Sequence, residues 1–242
     1  MYRSRMFSKL LQNGAWEVGE WFKRGSLILM AMSGLHSRRG ALIVLEGCDR
    51  VGKTTQCKKL VDALHQRNIE TRLICFPDRN TAIGGLINDY LKKNIDLTDK
   101  AIHLLFSANR WEKEPEIKDC VNNGVTLIVD RYVYSGVAFS ATKEGMDREW
   151  CKMAETGLPK PDAVFFLTVS PEALSERGGF GNEIYETTEI QKKVGNNYLK
   201  MADDSWQVIS ADQDVDVVHQ DILSRALSVI EIAKSKSLSS LW

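Results

Sequence analysis

Residues 47–54 read Gly47-Cys48-Asp49-Arg50-Val51-Gly52-Lys53-Thr54, the spacing G-x-x-x-x-G-K-T. That spacing is the signature of a phosphate-binding loop. Glycine at both ends permits backbone torsions closed to other residues, so main-chain N–H groups can crowd round an anion. Lys53 is placed to reach the β- and γ-phosphates of a nucleoside triphosphate, and the Thr54 hydroxyl is a candidate Mg²⁺ ligand. Cys48, Asp49, Arg50, Val51 and Thr55 fall within the same cradle. With glycine at about 7% of residues, a chance match in a chain this long is on the order of one in a hundred. These residue types therefore point to a triphosphate site, and the rest of the chain must say what is done with the triphosphate.

Two charged side chains lie inside the loop. Asp49 would be repelled by a triphosphate and is tolerable only if it turns toward a hydroxyl or a metal-bound water on the acceptor side. The planar fork of Arg50 can bridge the donor and the transferring phosphoryl group. The plainer reading leaves both solvated at the loop tip. Residues 126–131 read TLIVDR, an apolar run ending in Asp130 and Arg131. A carboxylate at a strand tip beside a phosphate loop is the place for a magnesium-associated acid; the plainer reading is a strand-end ion pair. Arg79, in Phe76-Pro77-Asp78-Arg79, follows another apolar run. Two arginines converging on a ligand suggest an acceptor that itself carries phosphate. A monophosphate needs no general base, because with a second pKa near 6 it is already mostly ionised at neutral pH. Phe106 and Arg110 are four apart on a helical stretch, so they share a face. They would make a nucleobase pocket, although pattern alone favours Phe106 in the core and Arg110 in solvent. Residues 176–186, ERGGFGNEIYE, hold Gly178, Gly179 and Gly181 and read as a mobile lid, or else as an ordinary surface loop.

The elements that must hold these residues alternate. Near-continuous apolar runs predict strands at 41–45, 72–76, 126–129, 163–169 and 207–209, each covered on both faces. Helical patterns lie at 54–66, 98–122 (bent near Pro115), 135–142, 171–177, 188–202 and 215–233. Such alternation predicts an α/β fold with a five-stranded, mainly parallel sheet and helices on both faces, binding ligands at the carboxyl ends of its strands.

The chain has 242 residues, enough for one α/β domain, and its Lys+Arg and Asp+Glu counts are both 32. Zero net charge argues against a general nucleic-acid binder or a protein drawn to an anionic membrane. The apolar patch at 27–32 is far shorter than the ~20 residues of a membrane span. Five cysteines, Cys48, Cys57, Cys75, Cys120 and Cys151, contain no C-x-x-C, so they read as reduced intracellular thiols. Residues 1–38 differ from the rest and are read as an N-terminal extension: disordered, a transit peptide, or a partner-binding segment. Residues 39–242 are then the domain.

The segments RRGALIVLEGCDRVGKTTQ, FPDR, HLLFSANRWE, VTLIVDRYVYSGVAFS, GLPKPD and RGGFGNEIYE together resemble the eukaryotic thymidylate kinases, over residues 38–242. The resemblance implies a P-loop nucleoside monophosphate kinase that passes the γ-phosphoryl group of ATP, with Mg²⁺, to dTMP. In that family Lys53, Thr54 and the loop glycines would hold ATP and magnesium, Arg50 would assist transfer, and Asp130 would act near the metal. Asp49 would contact the acceptor's 3′-hydroxyl. Arg79 and Arg131 would hold the dTMP phosphate, Phe106 would stack on thymine and Arg110 would bind a thymine carbonyl. Phe76, Ser135, Gly136 and Phe139 would line the acceptor pocket. Tyr185 would stand near the sugar, and Arg177 would belong to the lid. Ile184 stands where relatives often carry Arg, which leaves catalysis resting on Arg50. A homodimer in the cytoplasm is implied, with mitochondrial or nuclear targeting open to the extension.

Two other readings compete. A deoxynucleoside kinase would need a carboxylate base for the 5′-hydroxyl and would have less use for Arg79 and Arg131. A nucleotide-binding regulator without turnover would have less need of Lys53 and Asp130.

Overall fold

A computed structural model describes residues 39–170, 173–174, 184–185 and 187–242, and residues 39–242 form one compact unit. The described elements, in chain order, are β1 (Leu42–Glu46), α1 (Lys53–His65), β2 (Thr71–Cys75), α2 (Ala82–Leu91), α3 (Asp99–Trp111), α4 (Glu114–Asn122), β3 (Thr126–Asp130), α5 (Val133–Ser140), α6 (Arg148–Met153), β4 (Ala163–Thr168), α7 (Thr188–Leu199), β5 (Trp206–Ser210) and α8 (Val215–Ala233). The strands form one sheet in the order β2-β3-β1-β4-β5, and every neighbouring pair is parallel. The predicted α/β architecture is the observed one. β1 lies at the centre, and the chain winds first to one side of it and then to the other. Such a reversal opens a crevice beyond the strand ends.

Alternation along the central strands sends side chains to two cores. Ile43, Leu45, Ile128, Phe165 and Leu167 pack with α1 and α8 on one face. Leu42, Val44, Leu127, Val129, Val164 and Phe166 pack with α4, α5 and α7 on the other. β1 and β3 are buried along their whole length. The two edge strands are not covered on both faces as expected: Arg72, Cys75, Val208 and Ser210 are exposed. An edge strand has one neighbour, and its outer flank meets solvent.

Three helical expectations need correction. The bent helix at 98–122 is two helices, α3 and α4, divided at Glu112 and Lys113. Pro115 cannot donate to a preceding turn and sits instead in the first turn of a new helix. Helix α2 was not expected, because Gly84 and Gly85 argue against a helix. Gly84 is there for closeness: a β carbon on it would stand 1.8 Å from the Asp78 carbonyl oxygen. The short α6 was also not expected; its readable signal was Asp147, whose side chain accepts from the Trp150 N–H. Of the predicted helix at 171–177 only residues 173–174, which are helical, are described, and most of the predicted lid lies outside the described residues.

Leu60 is fully buried between α1 and the sheet. Leu60→Ala should remove about 2–5 kcal/mol of stability, measured as a lower urea midpoint with an unchanged slope. A loss below ~1 kcal/mol would mean that α1 is not seated on the sheet in this way.

Candidate active site

The loop between β1 and α1 has the torsions its glycines were expected to allow. Gly47 has φ 145° and Gly52 φ 96°, and a β carbon on Gly47 would meet the Leu167 carbonyl oxygen at 2.4 Å. Val51 turns into the core and anchors the loop. Gly52 caps α1 without a side-chain hydrogen bond, so the first amides of the helix are left for an anion. Lys53 is buried and donates to the carbonyl oxygens of Gly47 at 3.0 Å and Cys48 at 2.6 Å. Burial, and next the nearby Arg131 cation, lower its pKa to about 8.

Beyond the strand ends lies a cavity of about 330 Å³. Its floor is made by Asp49, Thr54 and Asp130. The Thr54 hydroxyl donates to Asp130 Oδ2. Asp130 Oδ1 is buried with no hydrogen-bond partner among the described residues. An orphaned carboxylate oxygen beside a hydroxyl fits a hard cation that also takes phosphate oxygens and water. The plainer reading of Asp130 and Arg131 as partners of each other does not hold, because Arg131 pairs with Asp49. Nor is Asp49 merely solvated: its Oδ2 also accepts from Gln191 Nε2 at 2.6 Å, and its backbone N–H donates to Gln191 Oε1 at 2.8 Å.

One wall of the cavity carries Arg79, Arg131 and Phe76. Arg131 further donates to Ser135 Oγ at 3.3 Å and lies 5.5 Å over the Phe139 ring. Arg79 is exposed and donates to Asn88 Oδ1 at 3.1 Å. The far end is lined by Phe106, Arg110, Ser135, Gly136, Phe139 and Tyr185. Arg110 is not solvated, as pattern alone favoured; it is 2% exposed. Its Nε donates to Glu155 Oε2 at 2.9 Å and its Nη2 to Oε1. Phe106 does both things weighed for it: half-buried, it packs against an apolar cluster with Ile87, Tyr90 and Ile102 and presents itself to the cavity. Tyr185 packs edge-on to Phe139, with ring centres 5.3 Å apart. Lys143 holds it from behind, 5.3 Å over its ring, while donating to Tyr90 and Asp99. Ile184 joins the same apolar cluster. Arg50, at φ 65°, does not line the cavity, and neither do Gly47, Cys48, Val51, Gly52, Lys53 or Thr55. Arg177 lies outside the described residues.

Several residues that build the site escaped the sequence reading. Glu46, the last residue of β1, is fully buried. Its Oε1 accepts the backbone N–H groups of Tyr132 at 2.8 Å and Ser135 at 3.0 Å. Its Oε2 accepts the hydroxyls of Ser135 at 2.7 Å and Tyr198 at 2.9 Å. Burial raises its pKa, and these donors together with Arg131 partly offset that. An acid closing an apolar strand was a visible signal. Gln191 and Glu155 gave none, since each acts on a partner far away in sequence.

A family model described as thymidylate kinase matches residues 45–222. The chain is 47% identical over 208 residues to a thymidylate kinase of Danio rerio, covering 85% of this chain and 98% of that one. It is 46% identical over 209 residues to a thymidylate kinase of Homo sapiens, covering 85% and 99%. A solved thymidylate kinase structure from Candida albicans superposes with a TM-score of 0.76 at 36% identity, covering 84% of this chain and 99% of that one.

Glu46→Gln replaces one acceptor oxygen with an NH₂ that faces donors. It should cost about 1–3 kcal/mol of stability, read from urea unfolding. No measurable change would mean that the carboxylate does not hold those N–H and O–H groups.

Proposed function

The chain belongs to the thymidylate kinase family and is an ATP-dependent kinase of dTMP, and we propose that it works through the cavity beyond its strand ends. The reaction moves the γ-phosphoryl group of ATP onto the phosphate of dTMP, giving ADP and dTDP. This product leads toward dTTP. The rival readings, a deoxynucleoside kinase and a regulator without turnover, are not favoured by that membership.

The observation that carries the site assignment is that two arginines share one cavity with an aromatic–arginine pair and with the floor of the phosphate loop. In this reading the loop amides of residues 47–55 and Lys53 bind the ATP phosphates. Mg²⁺ would be held by Thr54 and Asp130, where it would neutralise charge on the phosphate oxygens. Asp130 Oδ1 is the buried atom that supports this fit. Arg79 and Arg131 take the dTMP phosphate. Arg131 already faces Asp49, so acceptor phosphate would exchange one anionic partner for another or add to it. Asp49 then stands beside the sugar, with Tyr185 next to it. Phe106 stacks on the base, Arg110 donates to a base carbonyl, and Phe76, Ser135, Gly136 and Phe139 complete the walls. The acceptor phosphate arrives ionised, so the residues' task is to position it and to offset charge rather than to remove a proton. Arg50, at the loop tip, and Arg177 are assigned to phosphoryl transfer and to the lid.

We assign residues 39–242 to the catalytic domain and residues 1–38 to an extension. Among the described residues no helix is long and apolar enough to cross a membrane. The cytoplasm is the compartment we propose, with residues 1–38 as the segment through which mitochondrial or nuclear targeting would act. A homodimer is proposed on the family resemblance.

An ADP-release assay with ATP, Mg²⁺ and a panel of nucleoside monophosphates plus thymidine should give a strong preference for dTMP. Turnover of thymidine alone would transfer the function to a nucleoside kinase. A second expectation concerns pH. A lysine with pKa lowered to about 8 is a cation below that value and neutral above it. ATP affinity should therefore fall as pH rises from 7 to 9.5, with the break near the Lys53 pKa, and Lys53→Arg should flatten that dependence. A break unaffected by Lys53→Arg would assign the titration to another group.

A further inference from the structure

The segments FPDR (76–79) and HLLFSANRWE (103–112) lie apart in the chain and meet in the fold. The contact is made by Asn109 of α3, which is polar and yet fully buried. Its Oδ1 accepts the backbone N–H of Asp78 at 2.8 Å. Its Nδ2 lies 3.2 Å from the Asp78 carbonyl oxygen, 3.1 Å from Thr81 Oγ1 and 2.6 Å from Glu112 Oε1. A backbone N–H only donates, so the first contact fixes which way round the amide sits. Its two N–H groups then face three acceptors. Residue 78 is held by its own N–H and C=O at once, as a neighbouring strand would hold it.

The surrounding groups close this cluster. The Thr81 hydroxyl donates to Glu112 Oε1 at 2.6 Å and accepts the Gly84 N–H at 3.0 Å, which caps α2. Glu112 lies three residues beyond Asn109, on the same side of α3. The side chain of Asp78 is engaged elsewhere: Oδ1 accepts the N–H and the side-chain amide of Asn80, each at 3.1 Å, and Oδ2 pairs with Lys113 at 3.1 Å. Helix α2 presses from the opposite side, where a β carbon on Gly84 would stand 1.8 Å from the Asp78 carbonyl oxygen and 2.9 Å from the Arg79 Cα. The backbone of residues 78 and 79 is thus pinned between α3 and α2. Arg79, exposed and lining the cavity, springs from that pinned point.

We propose that Asn109 is a positioning residue for the acceptor phosphate: it pins the backbone from which Arg79 reaches, and so ties that arginine to the helix that carries Phe106 and Arg110. This rests on the reading of Arg79 as a ligand of that phosphate. Asn109 does not line the cavity and touches no substrate. A long, exposed side chain already gives up rotamer freedom when it takes an anion. A fixed root spares it the further cost of ordering the loop, and keeps the phosphate in line for transfer. Glu112, at the exposed rim of the cluster, holds Asn109 and Thr81 together and shares in the same task.

The test measures binding of dTMP and of thymidine, which lacks the phosphate, to the full chain. Arg79→Ala should weaken dTMP about tenfold or more and leave thymidine nearly unchanged. If it weakens both alike, or neither, Arg79 does not hold the phosphate and the proposal falls with that reading. Asn109→Ala should weaken dTMP about fivefold to tenfold, again sparing thymidine, a ratio that a merely structural role would not move. In the Arg79→Ala background it should have no further effect on dTMP, because the two residues act in series. Suppose Arg79→Ala behaves as expected while Asn109→Ala weakens both ligands alike, or adds its full effect to that of Arg79→Ala. Asn109 then only supports the fold, and the proposal is overturned with the phosphate reading intact. If Asn109→Ala does not fold, the exposed Glu112→Ala decides: a smaller loss confined to dTMP supports the proposal, and an unchanged ratio of dTMP to thymidine affinity overturns it.

Discussion

The fully buried carboxylate of Glu46 is the constraint on which the site depends. It closes the central strand just before the phosphate loop begins, and a charge placed there has to be satisfied. The donors come from elsewhere: the first turn of α5 gives Tyr132 and Ser135 N–H and the Ser135 hydroxyl, and α7 gives the Tyr198 hydroxyl. The N-terminal amides of a helix are otherwise orphaned, so each side supplies what the other lacks. An acid also belongs at the positive end of a helix dipole. The result is that β1, α5 and α7 meet at one point, directly under the loop. Arg131 and Ser135 are then delivered to the cavity, and Gln191 to Asp49 at its edge, by elements whose positions one buried acid has already fixed.

The cations of the site differ in how they are held. Arg110 is gripped by Glu155 in a buried pair, so its orientation is set before any ligand arrives. A donor held in that way costs little reorganisation at binding and discriminates by geometry. Lys53 rests on two loop carbonyls, which are weaker partners than an anion, and burial lowers its pKa to about 8. A triphosphate would improve its surroundings. Arg131 is balanced by Asp49, and Arg79 is exposed on a flexible stem. The base end is therefore rigid and neutral overall, whereas the phosphate end is charged and adaptable. That division suits a ligand with one invariant planar ring and one highly charged, moving group.

Much of this was legible in the chain because it is local. The phosphate loop is one contiguous run whose glycines and lysine act through their own backbone, and the apolar runs of β1, β3 and β4 announce strands buried on both faces. What was not legible is pairwise and distant. Glu155 matters because Arg110 ends beside it, and Gln191 because Asp49 does; neither has a neighbour in sequence that hints at the partner. The pattern at Phe106 and Arg110 misled for the same reason. A cation on a helix is solvated by default, and only a buried acid from another element reverses that. Gly84 hid α2 by obeying a tertiary demand, close approach to Asp78, over a local propensity.

Close approach also explains why α5 carries glycine at the cavity. At position 136 a β carbon would collide with the Arg110 guanidinium, which cannot retreat because Glu155 holds it from the other side. The distance between α3 and α5 is thus set jointly by a missing side chain and a buried ion pair. One turn further along, the same spacing brings His103 to Ser140. A larger residue at 136 would separate the helices or swing Arg110, and either movement would carry to the turn beyond it, since packed helices shift as units rather than side chain by side chain. The chemistry of the base end is in this sense a property of the helix pair, and the residues that touch a ligand there are placed by residues that do not.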